Sequence, residues 1–139
     1  MLFVLDCYNS NPGALRAAVR SFVLESSPGR KILLCGDMLE LGPLGAELHR
    51  RLGAELARSP IDALITVGPL SRHLKDAWSA GCDRPSLSFY SAEDAVEPLL
   101  EMLRPGDAAL VKGSRALRME TIVEQIAARL ANDQTEKAA

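Results

Sequence analysis

Three short stretches of this sequence gather residue types suited to charged or hydroxylated ligands, and each follows an apolar run. The first, Asp6-Cys7-Tyr8-Asn9-Ser10-Asn11-Pro12, puts a carboxylate and two amides just ahead of a helix start. Free N–H groups and the helix dipole favour anions there, and Asp can accept from sugar hydroxyls, so the stretch suits ribose or phosphate oxygens. The local alternative makes Asn11 only a helix cap and Asp6 only a turn residue. The second, Gly36-Asp37-Met38-Leu39-Glu40-Leu41-Gly42, brackets two acids with glycines that permit unusual backbone angles. It could orient an ammonium group or merely build a structured turn. The third, Lys112-Gly113-Ser114-Arg115, presents two cations and a hydroxyl beside free backbone N–H groups, a natural receptor for carboxylate or phosphate.

Other chemically able residues read differently. His49 stands beside Arg50 and Arg51, and His73 lies further on, neither with Asp, Glu or Cys companions at ligand spacing. Both therefore read as structural or surface residues, and no metal site is expected. Cys7, Cys35 and Cys82 form an odd, widely spaced set without C-x-x-C, which suggests neither a disulfide framework nor a zinc site. Trp78 and the methionines suit a core. The sequence has no G-x-x-x-x-G-K-[ST], no G-x-G-x-x-G and no nucleophile elbow.

The elements that must position these clusters alternate between short β-prone runs and longer segments of helical period. Strands are expected over 2–5, 31–35, 63–67, 86–89 and 108–111, most of them nearly continuous apolar runs, as in strands covered on both faces. Helices are expected from Pro12 to the break at 26–29, with Leu15, Ala18, Val19, Phe22 and Val23 on one face, and over about 44–58, with Leu48, Leu52, Ala54 and Leu56 as apolar residues. Three more cover about 70–79, 92–103 and 116–130, the last with Met119, Ile122, Val123 and Ile126 inward. This pattern predicts an α/β fold, a Rossmann-like open, mainly parallel sheet with helices on both faces. In such sheets ligands meet the loops beyond the carboxyl ends of the strands, and all three polar clusters fall there. The turns at 27–29 and 104–107 mark the opposite edge.

Composition sets outer bounds. The 139 residues, 47% hydrophobic and 24% charged, suit one globular domain over 1–131, followed by a disordered tail over 132–139 that lacks apolar periodicity. A net charge of -2 without a basic cluster gives no footprint for nucleic acid. The run Met1 to Leu5, followed at once by Asp6, reads as too short for a signal peptide and no apolar run reaches membrane-spanning length, so no membrane association and a cytoplasmic location are expected.

Taken in order, the clusters resemble the carboxyl-terminal domain of the Mur ligase family. Also matching are Leu15 to Ala18, His49 with Gly53, Val67-Gly68, and Val111 ahead of Lys112-Gly113-Ser114-Arg115 with Met119-Glu120. Cys7 stands where the family often has Ser, and Ser10 where it often has Ala. The resemblance, strongest to the dipeptide-adding type, implies an ATP-dependent ligase of peptidoglycan synthesis that joins D-alanyl-D-alanine to UDP-N-acetylmuramoyl-tripeptide through an acyl phosphate. It further implies an amino-terminal domain for the UDP-linked sugar peptide and a central P-loop ATPase that holds most of the ATP and Mg2+. On that scheme Asp6, Tyr8, Asn9 and Asn11 would contact ATP, and Gly36, Asp37, Lys112, Ser114 and Arg115 the dipeptide. The chain is then expected to be inactive without those domains.

Two other readings fit parts of the pattern. A receiver-like signalling domain has similar length and five βα units but needs an acid at the end of its third strand, where this chain has Val67-Gly68-Pro69. A stand-alone nucleotide-binding or interaction module would share the binding edge without catalysis.

Overall fold

The computed structural model describes residues 2–6 and 10–138, with the side chains of 134–138 outside the description. Strands β1 (Leu2–Asp6), β2 (Lys31–Gly36), β3 (Ala63–Val67), β4 (Ser86–Phe89) and β5 (Ala108–Lys112) alternate with helices α1 (Pro12–Leu24), α2 (Gly45–Leu56), α3 (Ser71–Gly81), α4 (Ala92–Met102) and α5 (Glu120–Ala138). The strands pair in parallel in the order β1-β5-β2-β3-β4. Residues of β3 and β5 are buried throughout, which is why their runs are apolar without alternation.

The pleat sends Leu33, Cys35, Leu64 and Leu110 to one face, where they meet Leu15 and Phe22 of α1, Leu52 and Leu56 of α2, and Leu74 and Trp78 of α3. Ile32, Leu34, Ile65, Ala109 and Val111 point the other way, into Ala95, Val96 and Leu99 of α4 and Ile122 and Ile126 of α5. Right-handed crossovers explain this division. The chain moves one way along the sheet from β1 to β4, which keeps α1, α2 and α3 on one face. It then returns from β4 to β5, which puts α4 on the other.

The α/β fold agrees with the sequence expectation, with informative departures. Strands β1, β2 and β5 each run one residue further than the apolar runs, to Asp6, Gly36 and Lys112, so these site candidates sit on the sheet rather than beyond it. The buried stripe of α2 passes through His49 and Gly53, while Ala54 faces solvent. Helix α5 begins at Glu120 rather than near Ala116, because a 3-10 turn over Arg115–Leu117 and a left-handed Arg118 (φ 51°) intervene. At its far end α5 continues helical to Ala138, beyond the expected boundary near 131. Residues 131–133 are exposed there, so burial does not hold that part of the helix.

The opposite edge does more than turn the chain. Asp107, 2% exposed, accepts from the backbone N–H of Arg30 (3.1 Å), the Arg30 Nη2 (2.7 Å) and the backbone N–H of Arg104 (2.9 Å). Burial pushes its carboxyl up, but the Arg30 guanidinium and the two N–H groups outweigh that and hold it below the usual carboxylate range. Among the described residues no helix is long and apolar enough to cross a membrane.

Candidate functional site

The strand order makes neighbours of the three polar clusters. β5 lies between β1 and β2, so the ends of these three strands stand side by side. From β5 the chain goes on to the α5 face, whereas from β1 and β2 it goes on to the face of α1 and α2, so it leaves neighbouring strands in opposite directions on both sides of β5.

The β1–β5 side of the site is an ion pair. Register places Asp6 beside Lys112, and Lys112 Nζ lies 3.0 Å from Asp6 Oδ2. The lysine side chain is 2% exposed and the aspartate 45%, so the cation is sealed while the carboxylate still meets solvent. The sequence reading had assigned these two residues to different ligands; the fold puts them in contact. Next to Asp6 an open groove of about 470 Å³ runs between α1 and strands β1 and β5, lined mainly by Val4, Ala14, Ala17, Ala18, Ser21 and Leu110.

The β5–β2 side is stitched by hydrogen bonds. Ser114 Oγ donates to the Asp37 carbonyl (3.0 Å) and accepts from the Leu39 N–H (3.2 Å), tying the loop after β5 to the loop after β2. Gly36 and Gly113 are adjacent, and a Cβ on either would strike Leu117 or Met119 at 2.6 or 2.7 Å. Met119 is fully buried and closes the floor beneath both loops. These loops also hold the two non-glycine residues with left-handed backbone among those described, Glu40 (φ 64°) and Arg118 (φ 51°).

Asp37 is 3% exposed, and its Oδ1 accepts from the Ser71 N–H at 2.6 Å, so it caps α3 across the chain. A Cβ at Gly68 would lie 2.5 Å from that carboxylate, which explains the glycine. The structure thus gives Asp37 a structural duty in place of an open ligand-facing position. Asn11 likewise caps α1, accepting from the Ala14 N–H at 2.9 Å, while remaining exposed. Tyr8 and Asn9, with Cys7, lie outside the described residues. Arg115 is exposed at the start of its 3-10 turn, on the same edge as Lys112 and Ser114. Among the described residues no three His, Cys, Asp or Glu side chains converge to hold a metal ion. Cys35 is no nucleophile, since burial, with the nearby Asp37 charge, pushes its thiol up to about 12.

Of the structural and surface options that the sequence leaves for His49, the structure takes the structural one. Its side chain is fully buried, and Nε2 accepts from the Met38 N–H at 3.0 Å, inside the loop after β2. Its place in the α2 stripe, near Leu52 and Gly53, and its match with Gly53 to the family pattern were the signals for it.

The edge thus carries an ion pair at the β1–β5 strand ends, an exposed Arg115 and two loops laced together by Ser114. The profile described as "Mur ligase, glutamate ligase domain" matches residues 1–115. The chain belongs to the Mur ligase family. This Mur ligase domain is 31% identical over 122 residues to the UDP-N-acetylmuramoyl-tripeptide--D-alanyl-D-alanine ligase of Bacillus subtilis, covering 87% of the chain and 27% of that protein. It is 32% identical over 128 residues to the enzyme of the same name from Escherichia coli, covering 90% and 26%. Among solved structures it superposes on MurF from Acinetobacter baumannii with a TM-score of 0.79 at 27% identity, over 89% of the chain and 28% of that protein. MurF ligase from Thermotoga maritima in complex with ADP gives a TM-score of 0.71 at 26% identity, over 99% and 30%. The domain therefore spans about a quarter to a third of the length of these relatives. The strand order β1-β5-β2-β3-β4 also differs from the 2-1-3-4-5 order of receiver domains, which removes that reading.

Proposed function

We propose that this domain supplies one wall of the active site of a cytoplasmic, ATP-dependent ligase that adds D-alanyl-D-alanine to UDP-N-acetylmuramoyl-tripeptide in peptidoglycan synthesis. The observation that carries the reading is the convergence of the β1, β5 and β2 ends, with Asp6, Lys112, Ser114 and Arg115 on one edge, in a chain of the Mur ligase family. In this reaction ATP phosphorylates the peptide carboxylate, the amine of the incoming dipeptide attacks the acyl phosphate, and phosphate leaves. Charge builds on the transferred phosphoryl and then on the tetrahedral oxygen, and fixed cations lower the energy of both. Mg2+ bound with ATP supplies part of that charge, held mainly by the ATPase domain.

On this reading the Asp6 carboxylate, steadied by Lys112 and open to solvent, contacts the nucleotide. On the same reading Arg115 and the backbone of the stitched loops after β5 and β2 receive the dipeptide carboxylate. Leu39 and Leu44, exposed beside those loops, suit contact with a second wall when the site closes. No residue here could carry phosphoryl transfer alone, so the isolated domain should show no turnover.

The test is steady-state kinetics in the enzyme with its N-terminal and ATPase domains. Arg115→Ala should raise KM for D-alanyl-D-alanine about tenfold or more, as expected for one charge-assisted hydrogen bond, with little change in the ATP requirement. Asp6→Ala should show the reverse. Unchanged kinetics in both variants would refute the site assignment.

A further inference from the structure

His49 is a titratable side chain bonded to the 37–39 backbone, and both its ring nitrogens are engaged. The Met38 N–H donates to Nε2, so that nitrogen must carry a lone pair; Nδ1, 2.6 Å from the Gly45 carbonyl, must therefore carry the hydrogen and donate it. Only the neutral Nδ1–H tautomer satisfies both contacts. A protonated ring would set two donors, N–H against N–H, inside a fully buried space.

We propose that neutral His49 is a positioning residue that holds the loop after β2 in its ligand-receiving form, so that acidification loosens this loop before the domain unfolds. The flanking backbone atoms, the Asp37 carbonyl and the Leu39 N–H, are both held by Ser114, which cannot titrate. The Asp37 N–H also donates to the Val67 carbonyl of β3 (3.2 Å), so the His49 bond to Met38 is a pH-sensitive contact beside pH-insensitive ones from Ser114 and Val67. Burial lowers the His49 pKa; the Gly45 carbonyl and Asp37 on the β2 end oppose this, and His73 on α3 adds to it. The sign follows. The ring stays neutral through the ordinary histidine range near 6.5, and its protonation begins to cost the folded loop only below that.

The catalytic consequence rests on the ligase reading above, so the test has two arms. In the first, nitrogen and amide NMR on this chain follows His49, Met38 and Leu39 between pH 8 and 5. The expected result is an Nδ1–H imidazole at pH 8, with the Met38 and Leu39 amide resonances shifting along the His49 titration. An Nε2–H tautomer, or amides indifferent to His49, overturns the proposal. In the second, His49→Gln, whose carboxamide oxygen can accept from Met38 without titrating, and His49→Phe, which cannot accept, are placed in the complete enzyme. At low pH the wild-type KM for D-alanyl-D-alanine should rise, the Gln variant should stay flat, and the Phe variant should be about tenfold high at every pH with kcat little changed, the cost of one unpaired buried N–H. An acid rise in the Gln variant equal to wild type overturns the proposal, even if His49→Phe fails to fold. Absence of ligation by the wild-type enzyme would sink the ligase reading and leave the NMR arm to decide His49.

Discussion

The Asp6–Lys112 pair gives a sharp test of the site's electrostatics, because its two members are buried so unequally. Replacing Asp6 with Asn leaves the lysine, 2% exposed, without its carboxylate. Breaking a buried ion pair by removing one partner costs about 3–5 kcal/mol. Solvent reaches this pair through the 45%-exposed aspartate, so a cost of about 1–3 kcal/mol is the working figure. Lys112→Met instead leaves a half-exposed carboxylate that water can solvate, and methionine fills the space of the alkyl stem, so its cost should stay under about 1 kcal/mol. With an m-value near ~2 kcal/mol/M, a 2 kcal/mol loss moves the urea midpoint by about 1 M. Unfolding can be followed through the single tryptophan, Trp78, which is fully buried. The double variant should cost no more than Lys112→Met alone, since the penalty of Asp6→Asn exists only while the ammonium is present. Equal costs for the two single variants, or a fully additive double variant, would refute the reasoning.

Two further predictions concern stability. Asp107→Ala should destabilise the domain by about 2–3 kcal/mol in urea unfolding, because two backbone N–H groups and the part-exposed Arg30, which keeps the Met102 carbonyl, lose their acceptor. Since the folded Asp107 pKa lies below its unfolded value, the stabilisation it gives is present above about pH 4 and lost as pH falls through the folded pKa, so the variant's deficit should shrink in acid. Ser114→Ala removes two bonds between the site loops and should cost about 1–2 kcal/mol in the same assay, with faster amide exchange at Leu39 as its local mark.

Much of the fold was legible because its signals are local. Continuous apolar runs announce buried parallel strands, and Asn11-Pro12 announces the start of α1. What stayed hidden depends on partners far along the chain. The 3.6-residue pattern of Met119, Ile122 and Ile126 is equally consistent with a helix from 116 and with the 3-10 turn that occurs, and only the packing of Met119 under Gly36 and Gly113 separates them. Asp37 looks like a loop acid until Ser71, on another helix start, is brought to it. His49 looks like a polar interruption until the α2 stripe is seen to need an acceptor for Met38. The candidate site was readable as three clusters, but their adjacency was not, because strand order is a property of the whole sheet.

That adjacency changes what the clusters can do. Had β5 lain at the sheet's edge, Lys112 could have met the loop after β1 or the loop after β2, but not both. Set between them, it is tied through its side chain to Asp6 of β1, while Ser114, two residues on, is tied to the loop after β2. A ligand that draws Asp6 away from Lys112 therefore acts on the strand end that anchors the opposite loop, within a few residues and without a long relay. On the proposed reading nucleotide and dipeptide contacts share β5 as a common support. Their affinities should be coupled, and thermodynamic linkage requires that coupling to be equal in both directions.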